Sequence, residues 1–313
     1  MSKSNYNIDA LLNPSVIEKQ GHVLWAERLK ILLELVKFKI TILVSFSTAL
    51  GYFLAANALD FTFLFPVIGI FLLACSASAL NHYQERDTDA LMNRTKHRPI
   101  PSGRINANTV LIISAIIFTA GSLLLILKTN LITLSIGLIT FLWYNGLYTP
   151  LKRKTAFAII PGALVGALPP LAGWAAADGS LFDSRILIIA FYFFVWQIPH
   201  FWLLLIIYGD DYQRGGYPTL NTMFTREQLK RITFVWLFAT VVIAMLIPMF
   251  GIINYVVTNV ILSADSVWML YNSFKFVKSN GENKQIVNTF IKINFYTLLL
   301  ITILSVDKII TSI

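Results

Sequence analysis

The sequence predicts an all-α protein, a polytopic bundle of nine transmembrane helices, and three observations carry that prediction. Of 313 residues, 56% are hydrophobic and only 13% charged, with a mean hydropathy of +0.68. A soluble chain carries about twice that charged fraction. The apolar residues gather in blocks of roughly 17–23 residues, the length a bilayer demands of a helix, without the short alternating segments of a membrane β-barrel. Positive charge falls on every second connection between the blocks, the pattern that sets orientation in a membrane.

In chain order, residues 1–36 form an N-terminal cytoplasmic and interfacial segment, with 24–36 suited to an amphipathic helix on the membrane surface. Residues 37–313 form the transmembrane domain. Lys37 and Lys39 open the first span, 38–56, and Asp60 divides it from the second, 61–83. The second runs into the polar connection 84–107, which carries Arg86, Arg94, Lys96, Arg98 and Arg104. Spans 108–127 and 131–147 are divided by a short turn at Lys128, and Lys152, Arg153 and Lys154 precede the fifth, 157–176. Asp178 and Asp183 bound the turn to the sixth, 185–207, after which come Arg214, Arg226, Lys230 and Arg231. The last three spans are 230–249, 251–271 and 287–305, with Lys275, Lys278 and Lys284 between the final two. By the positive-inside rule the N-terminus and the even-numbered connections face the cytoplasm and the C-terminus faces out.

The long polar connections 84–107, 208–229 and 272–286 lie on the cytoplasmic side, so the working face is expected there. The net charge of +9 follows from this asymmetry and implies no nucleic-acid partner. Cys75, the single cysteine, lies inside the second span and reads as a small core residue. No cleavable signal peptide is evident, and Asp9, Glu18, Glu27 and Glu34 are unlike an acid-poor transit peptide. A bacterial plasma (inner) membrane is the expected location.

Chemistry concentrates where the second span ends, in Asn81-His82-Tyr83-Gln84-Glu85-Arg86-Asp87-Thr88-Asp89. If helix continues, Asn81, Glu85 and Asp89 recur every four residues on one face, and Asp87 points away. Two carboxylates and an amide suit Mg2+, which takes one or two protein carboxylates plus phosphate oxygens. Arg94, Lys96 and Arg98 follow within ten residues and suit the remaining oxygens of a diphosphate. A second acidic pair, Asp210-Asp211, closes the sixth span on the same side, with metal binding shared between the two. A bland reading stands beside each: a solvated helix cap for the first cluster, an Asp–Arg214 ion pair for the second. Lys37, Lys39 and the Lys152-Arg153-Lys154 run either set topology or reach a diphosphate. His200, in Trp196-Gln197-Ile198-Pro199-His200-Phe201-Trp202, is either an interhelical hydrogen-bonding residue or a substrate contact and proton carrier. Tyr83, Trp143, Tyr144, Tyr148 and Trp196 are interface anchors, or ring faces for a carbocation. The span centres read as free of unpaired Asp or Glu, which argues against a cation-coupled transporter.

These residues resemble the UbiA superfamily of intramembrane prenyltransferases, from about residue 30 onward. Its motif Asn-x-x-x-Asp-x-x-x-Asp is matched by Asn81, Glu85 and Asp89, with Glu lengthening the middle arm. Within the superfamily the protoheme IX farnesyltransferases are most similar, on four blocks. These are Arg94-Thr95-Lys96-x-Arg98-Pro99, in which His97 stands where the family often has Asn, Tyr148-Thr149-Pro150-Leu151-Lys152-Arg153, Gly166 to Trp174, and Trp196 to Trp202 closing with Asp210-Asp211-Tyr212-Gln213-Arg214. The resemblance implies a UbiA-type fold and transfer of a farnesyl group from farnesyl diphosphate to a vinyl group of heme b. It implies Mg2+ held by Glu85, Asp89, Asp210 and Asp211, and diphosphate held by Arg94, Lys96, Arg98, Lys152 and Arg153. His200 or a nearby tyrosine would position the water that quenches the product cation. Contact with a heme a synthase or a terminal oxidase assembly is a further expectation. The alternative within enzymes is a UbiA-type transferase acting on a quinone precursor.

Overall fold

The computed structural model describes residues 14–56 and 60–311, all helix and connection, with no strand among them. The expectations for residues 1–13 lie outside the described residues. Helix α1 spans Pro14–Leu35. The membrane helices that follow are α2 (Phe38–Ala55), α3 (Phe61–Gln84), α5 (Ala107–Lys128), α6 (Leu131–Leu151), α7 (Ala156–Ala176), α8 (Ser184–Arg214) and α9 (Arg226–Phe250). The short helix α4 (Arg86–Leu91) follows α3, and α10 (Val256–Lys278) and α11 (Asn283–Thr311) end the fold.

Eight of these helices, all but α1, α4 and α10, are long and apolar enough to cross a membrane. Helix α10 has the length, with 23 residues, but Asn259, Asp265, Ser266, Asn272 and Ser273 dilute its apolar character. It also starts five residues later than the expected eighth span. Gly251 turns the chain at φ 67, and Asp307 of α11 accepts from the backbone amides of Asn254 (2.9 Å) and Tyr255 (3.2 Å), fixing where α10 begins. The expectation that span centres lack unpaired acids fails here. Asp265 is buried in the middle of α10, and its Oδ2 has no hydrogen-bond partner. One acid among so many apolar neighbours does not disturb the hydropathy of its block.

The bundle is organised around α8. Tyr192, Ile198 and Leu203 are buried against Leu237 and Val241 of α9 and Ile293 and Tyr296 of α11. Helix α3 packs on α5, α2 packs on α7, and α11 returns to α2. The α2–α7 crossing is close because it is built on glycine. A Cβ on Gly51 would lie 1.9 Å from the Pro170 carbonyl oxygen, and one on Gly173 would lie 1.9 Å from that of Thr48. Outward faces carry exposed Ile112, Ile116, Leu123 and Leu127 on α5, and Val256, Val257 and Val260 on α10, as lipid contact requires. Helix α1 exposes Trp25, Leu29 and Leu33, while Ile31 and Leu35 pack on Ala79 and Val110. That division suits the interfacial position expected for 24–36.

Candidate active site

One end of the bundle gathers the charged residues. Helix α3 breaks at Glu85 (φ −102, ψ 3), yet the Glu85 amide bonds to the Asn81 carbonyl (3.0 Å) and that of Asp89 to the Glu85 carbonyl (2.7 Å). The four-residue repeat therefore survives the kink. Asn81, Glu85 and Asp89 are all buried, whereas the Asp87 side chain is 82% exposed and lies 3.7 Å from Arg86.

Each member of this row has a cation. Lys37 Nζ donates to Asn81 Oδ1 at 3.0 Å. Lys152 pairs with Glu85. One guanidinium nitrogen of Arg98 reaches both Asp89 oxygens, at 2.9 and 2.7 Å. Burial alone would raise the Glu85 carboxyl, but Lys152 and Lys37 outweigh it and hold it below the usual carboxylate range. Burial, with Arg98 and Lys152 close by, pulls the Lys37 ammonium down to about 7 against the opposing pull of Glu85 and Asp89. Lys37 also adopts a left-handed backbone (φ 47, ψ 51) between α1 and α2, the kind of local strain that collects at working sites.

Helix α6 supplies the opposite wall through a change of winding. Its segment Trp143–Tyr148 is a π-helix, a form found mostly at functional positions. The wider turn lets Asn145 donate to the Ala77 carbonyl (3.0 Å) and Gln84 Oε1 (3.1 Å), locking α6 to the end of α3. It also brings Thr149 against Asn81 (3.3 Å) and Lys152 over the rings of Tyr148 and Tyr217. Arg153 donates to the Gln84 carbonyl, beside the row.

The second acidic pair is helical, because α8 continues past a kink at Tyr208 (φ −110, ψ 15). Asp211 is buried and accepts from the backbone amides of Asn93 (2.8 Å) and Arg94 (3.0 Å), with Arg214 at 3.8 Å. It thus joins α8 to the connection that carries Arg94, Lys96 and Arg98. Asp210 is exposed and has no hydrogen bond or ion pair among the described residues. Arg94 lies over Tyr208 and Tyr212, and Lys96 is exposed and bonds Asn93 (3.1 Å). His200 stands apart: its ring packs between Trp196 (4.9 Å) and Phe290 (4.8 Å), and no charged residue of the row contacts it. Its Nδ1 is buried without a partner.

Two further residues join the site with no role expected from the sequence. Tyr217 donates to Glu85 Oε1 (3.2 Å) and shares a 2.8 Å bond with Thr88, although 132 positions separate it from Glu85. Burial and the Glu85 charge push its phenol above the ordinary value. Thr95 is buried and donates to the Asp89 carbonyl at 2.9 Å. Below Lys152 a small cavity of about 60 Å3 is lined by Tyr148, Phe201, Leu204, Leu205 and Tyr217.

Among the described residues, no group of three or more His, Cys, Asp or Glu side chains gathers to hold a metal unaided. Two buried carboxylates with an amide are hard oxygen donors, short of a full cage. That set fits Mg2+ completed by phosphate oxygens and water, and fits neither zinc nor a calcium cage.

Comparison with known proteins places this geometry. The UbiA prenyltransferase family model matches residues 44–296. The protoheme IX farnesyltransferase of Nitratidesulfovibrio vulgaris (strain Hildenborough) is 33% identical over 78% of this chain and 85% of its own length. That of Christiangramia forsetii is 34% identical over 85% of this chain and 89% of its own. The fold is shared with digeranylgeranylglyceryl phosphate synthase, at a TM-score of 0.72 and 17% identity over 90% of this chain and 99% of the other. A UbiA homolog from Archaeoglobus fulgidus, solved bound to GPP and Mg2+, superposes with a TM-score of 0.64 at 12% identity, over 88% and 99%. With the motif residues buried in one row and the whole bundle matched, the chain belongs to the UbiA prenyltransferase family.

Proposed function

We propose that this protein transfers the farnesyl group of farnesyl diphosphate to a vinyl group of heme b, releasing diphosphate and yielding heme o. The observation that carries the reading is the identity of 31–36%, across most of the chain, with relatives named protoheme IX farnesyltransferase. Family membership removes the transporter alternative. Prenyl transfer to a quinone precursor is the second reading, and nothing in the site favours it.

The residues of the row have definable parts in such a reaction. Glu85, Asp89 and Asp210 would hold Mg2+, and Asn81 would orient the row. The ion would neutralise the diphosphate and act as a Lewis acid when bound. Lys37, Lys152 and Arg98 sit on the carboxylates and would turn toward the incoming diphosphate, joined by Arg94 and Arg153. Charge develops on the departing anion, so preplaced cations favour the transition state over the ground state. Lys96, bonded to Asn93 at the surface, is placed to attract the anion from solvent. The apolar cavity under Lys152 would take the start of the prenyl chain, and the faces of Tyr148 and Phe201 would shelter the allylic cation. We assign His200, with its free Nδ1, to the water that quenches the product cation. Nine membrane-spanning helices, a cytoplasmic N-terminus and a cytoplasmic site in a bacterial inner membrane complete the proposal.

The test is conversion in membranes from cells expressing the protein, supplied with heme b, farnesyl diphosphate and Mg2+. Heme o by chromatography and mass spectrometry is expected. Its absence, with another acceptor prenylated instead, would refute the assignment.

A further inference from the structure

A second cavity lies on the other side of Lys37 and Arg98, between the end of α1, the end of α3 and the connection 94–104. Its volume is about 700 Å3, far more than a diphosphate fills and within the range of sites for large organic ligands. Lys30, Lys37, Arg94, Arg98 and Arg104 line it together with His82 and His97. The single acid on its wall, Glu34, is already paired with Arg104 (2.5 Å). The surplus charge is positive, and only part of it belongs to the carboxylate row.

His82 gives the cavity a second feature. Its side chain is only 2% exposed, and neither ring nitrogen has a hydrogen-bond partner. Its polar surroundings are the Lys37 and Arg98 cations and the Glu34 carbonyl. A buried polar group without a partner costs free energy unless a ligand supplies one. One ring nitrogen carries the proton and can donate to a ligand, and the neighbouring cations favour an anionic acceptor.

Heme b is an apolar disc with two carboxylates along one edge. We propose that this cavity holds the carboxylate edge of the acceptor, with Lys30 and His82 receiving the heme carboxylates and the vinyl edge left toward the prenyl donor. This rests on the proposed function and adds the acceptor's address to it. The donor diphosphate keeps the cations already assigned to it, of which Lys152 and Arg153 do not line this cavity.

The experiment compares heme b with its dimethyl ester, using the purified full chain in nanodiscs. Binding is read by absorbance titration, and turnover by heme o formation. Esterification should weaken binding at least tenfold in the wild-type protein. Lys30→Ala, at an exposed position, should raise KM for heme b about tenfold and leave KM for farnesyl diphosphate unchanged. The ester should bind this variant no worse than it binds wild type, and Lys30→Arg should restore the acid. Equal binding of acid and ester by the wild type would overturn the proposal, as would a Lys30→Ala effect on KM for farnesyl diphosphate. A Lys30 effect seen only in nanodiscs with phosphatidylglycerol, and lost in pure phosphatidylcholine, would assign the cavity to lipid headgroups and overturn it too. Carboxylate-dependent binding without heme o would instead sink the reaction and keep the cavity.

Discussion

Asp211 offers a sharp test of how the two acidic helix ends divide their work. Its two oxygens accept from the amides of Asn93 and Arg94, so it ties α8 to the connection that carries the cations. A hydrogen bond to a charged group contributes roughly 1.5–3 kcal/mol. Asp211→Asn keeps one acceptor oxygen, removes the charge and turns an amide donor toward a backbone donor. The expected cost is about 2 kcal/mol, since water at this end of the bundle takes up part of the loss. Asp211→Ala releases both amides and should cost about 3–4 kcal/mol on the same basis. At roughly 2–4 °C per kcal/mol, the Asn variant should lose about 4–8 °C in thermal unfolding in detergent. Tryptic cleavage at Arg94 and Lys96 should accelerate as their backbone is freed. Asp210→Asn, at an exposed and unpaired position, should leave unfolding unchanged and raise the Mg2+ concentration needed for turnover. The reasoning is refuted if Asp211→Asn unfolds like wild type and needs more Mg2+, because Asp211 would then be the ligand and not the anchor.

Three other outcomes follow from the same geometry. Asp89→Asn should lower turnover by about 10²-fold or more while the protein stays folded, because Arg98 is partly exposed and can resolvate; activity near wild type would remove Asp89 from the reaction. Gly51→Val forces a side chain into the Pro170 carbonyl and should lower thermal stability by about 1–3 kcal/mol or more, whereas Gly146→Ala, with nothing within 4 Å of the added carbon, should be near neutral. Lys37 is charged below about pH 7 and neutral above it, and a diphosphate prefers the charged form. KM for farnesyl diphosphate should therefore rise with pH above about 7, by up to ~10-fold per unit, and Lys37→Arg should flatten the profile.

Much of the fold was legible because membrane insertion is a local property. A run of apolar residues decides its own fate, and the flanking Lys and Arg mark its ends, so the first seven expected spans and the last coincide with observed helices. The row Asn81, Glu85 and Asp89 was legible for a similar reason: helical spacing alone puts them on one face, and it excluded Asp87. The eighth span was displaced because its start depends on Asp307, more than fifty positions away and one helix later. Asp265 escaped notice because hydropathy averages over a block, while the lack of a partner is a fact about neighbours.

The amino-acid sequence by itself determined that the chain is a helical membrane protein, which helix face carries the acids, and which family it joins. Only the tertiary structure decided which cation meets which acid: Lys37 with Asn81, Lys152 with Glu85, Arg98 with Asp89. It alone brought Tyr217 to Glu85, turned Asp211 onto the 93–94 amides, and left His82 unpartnered beside a cationic cavity. The reason is physical. Helix formation and membrane partition are set within a stretch of some twenty residues, but charge pairing is set by which helix ends the packed bundle brings together.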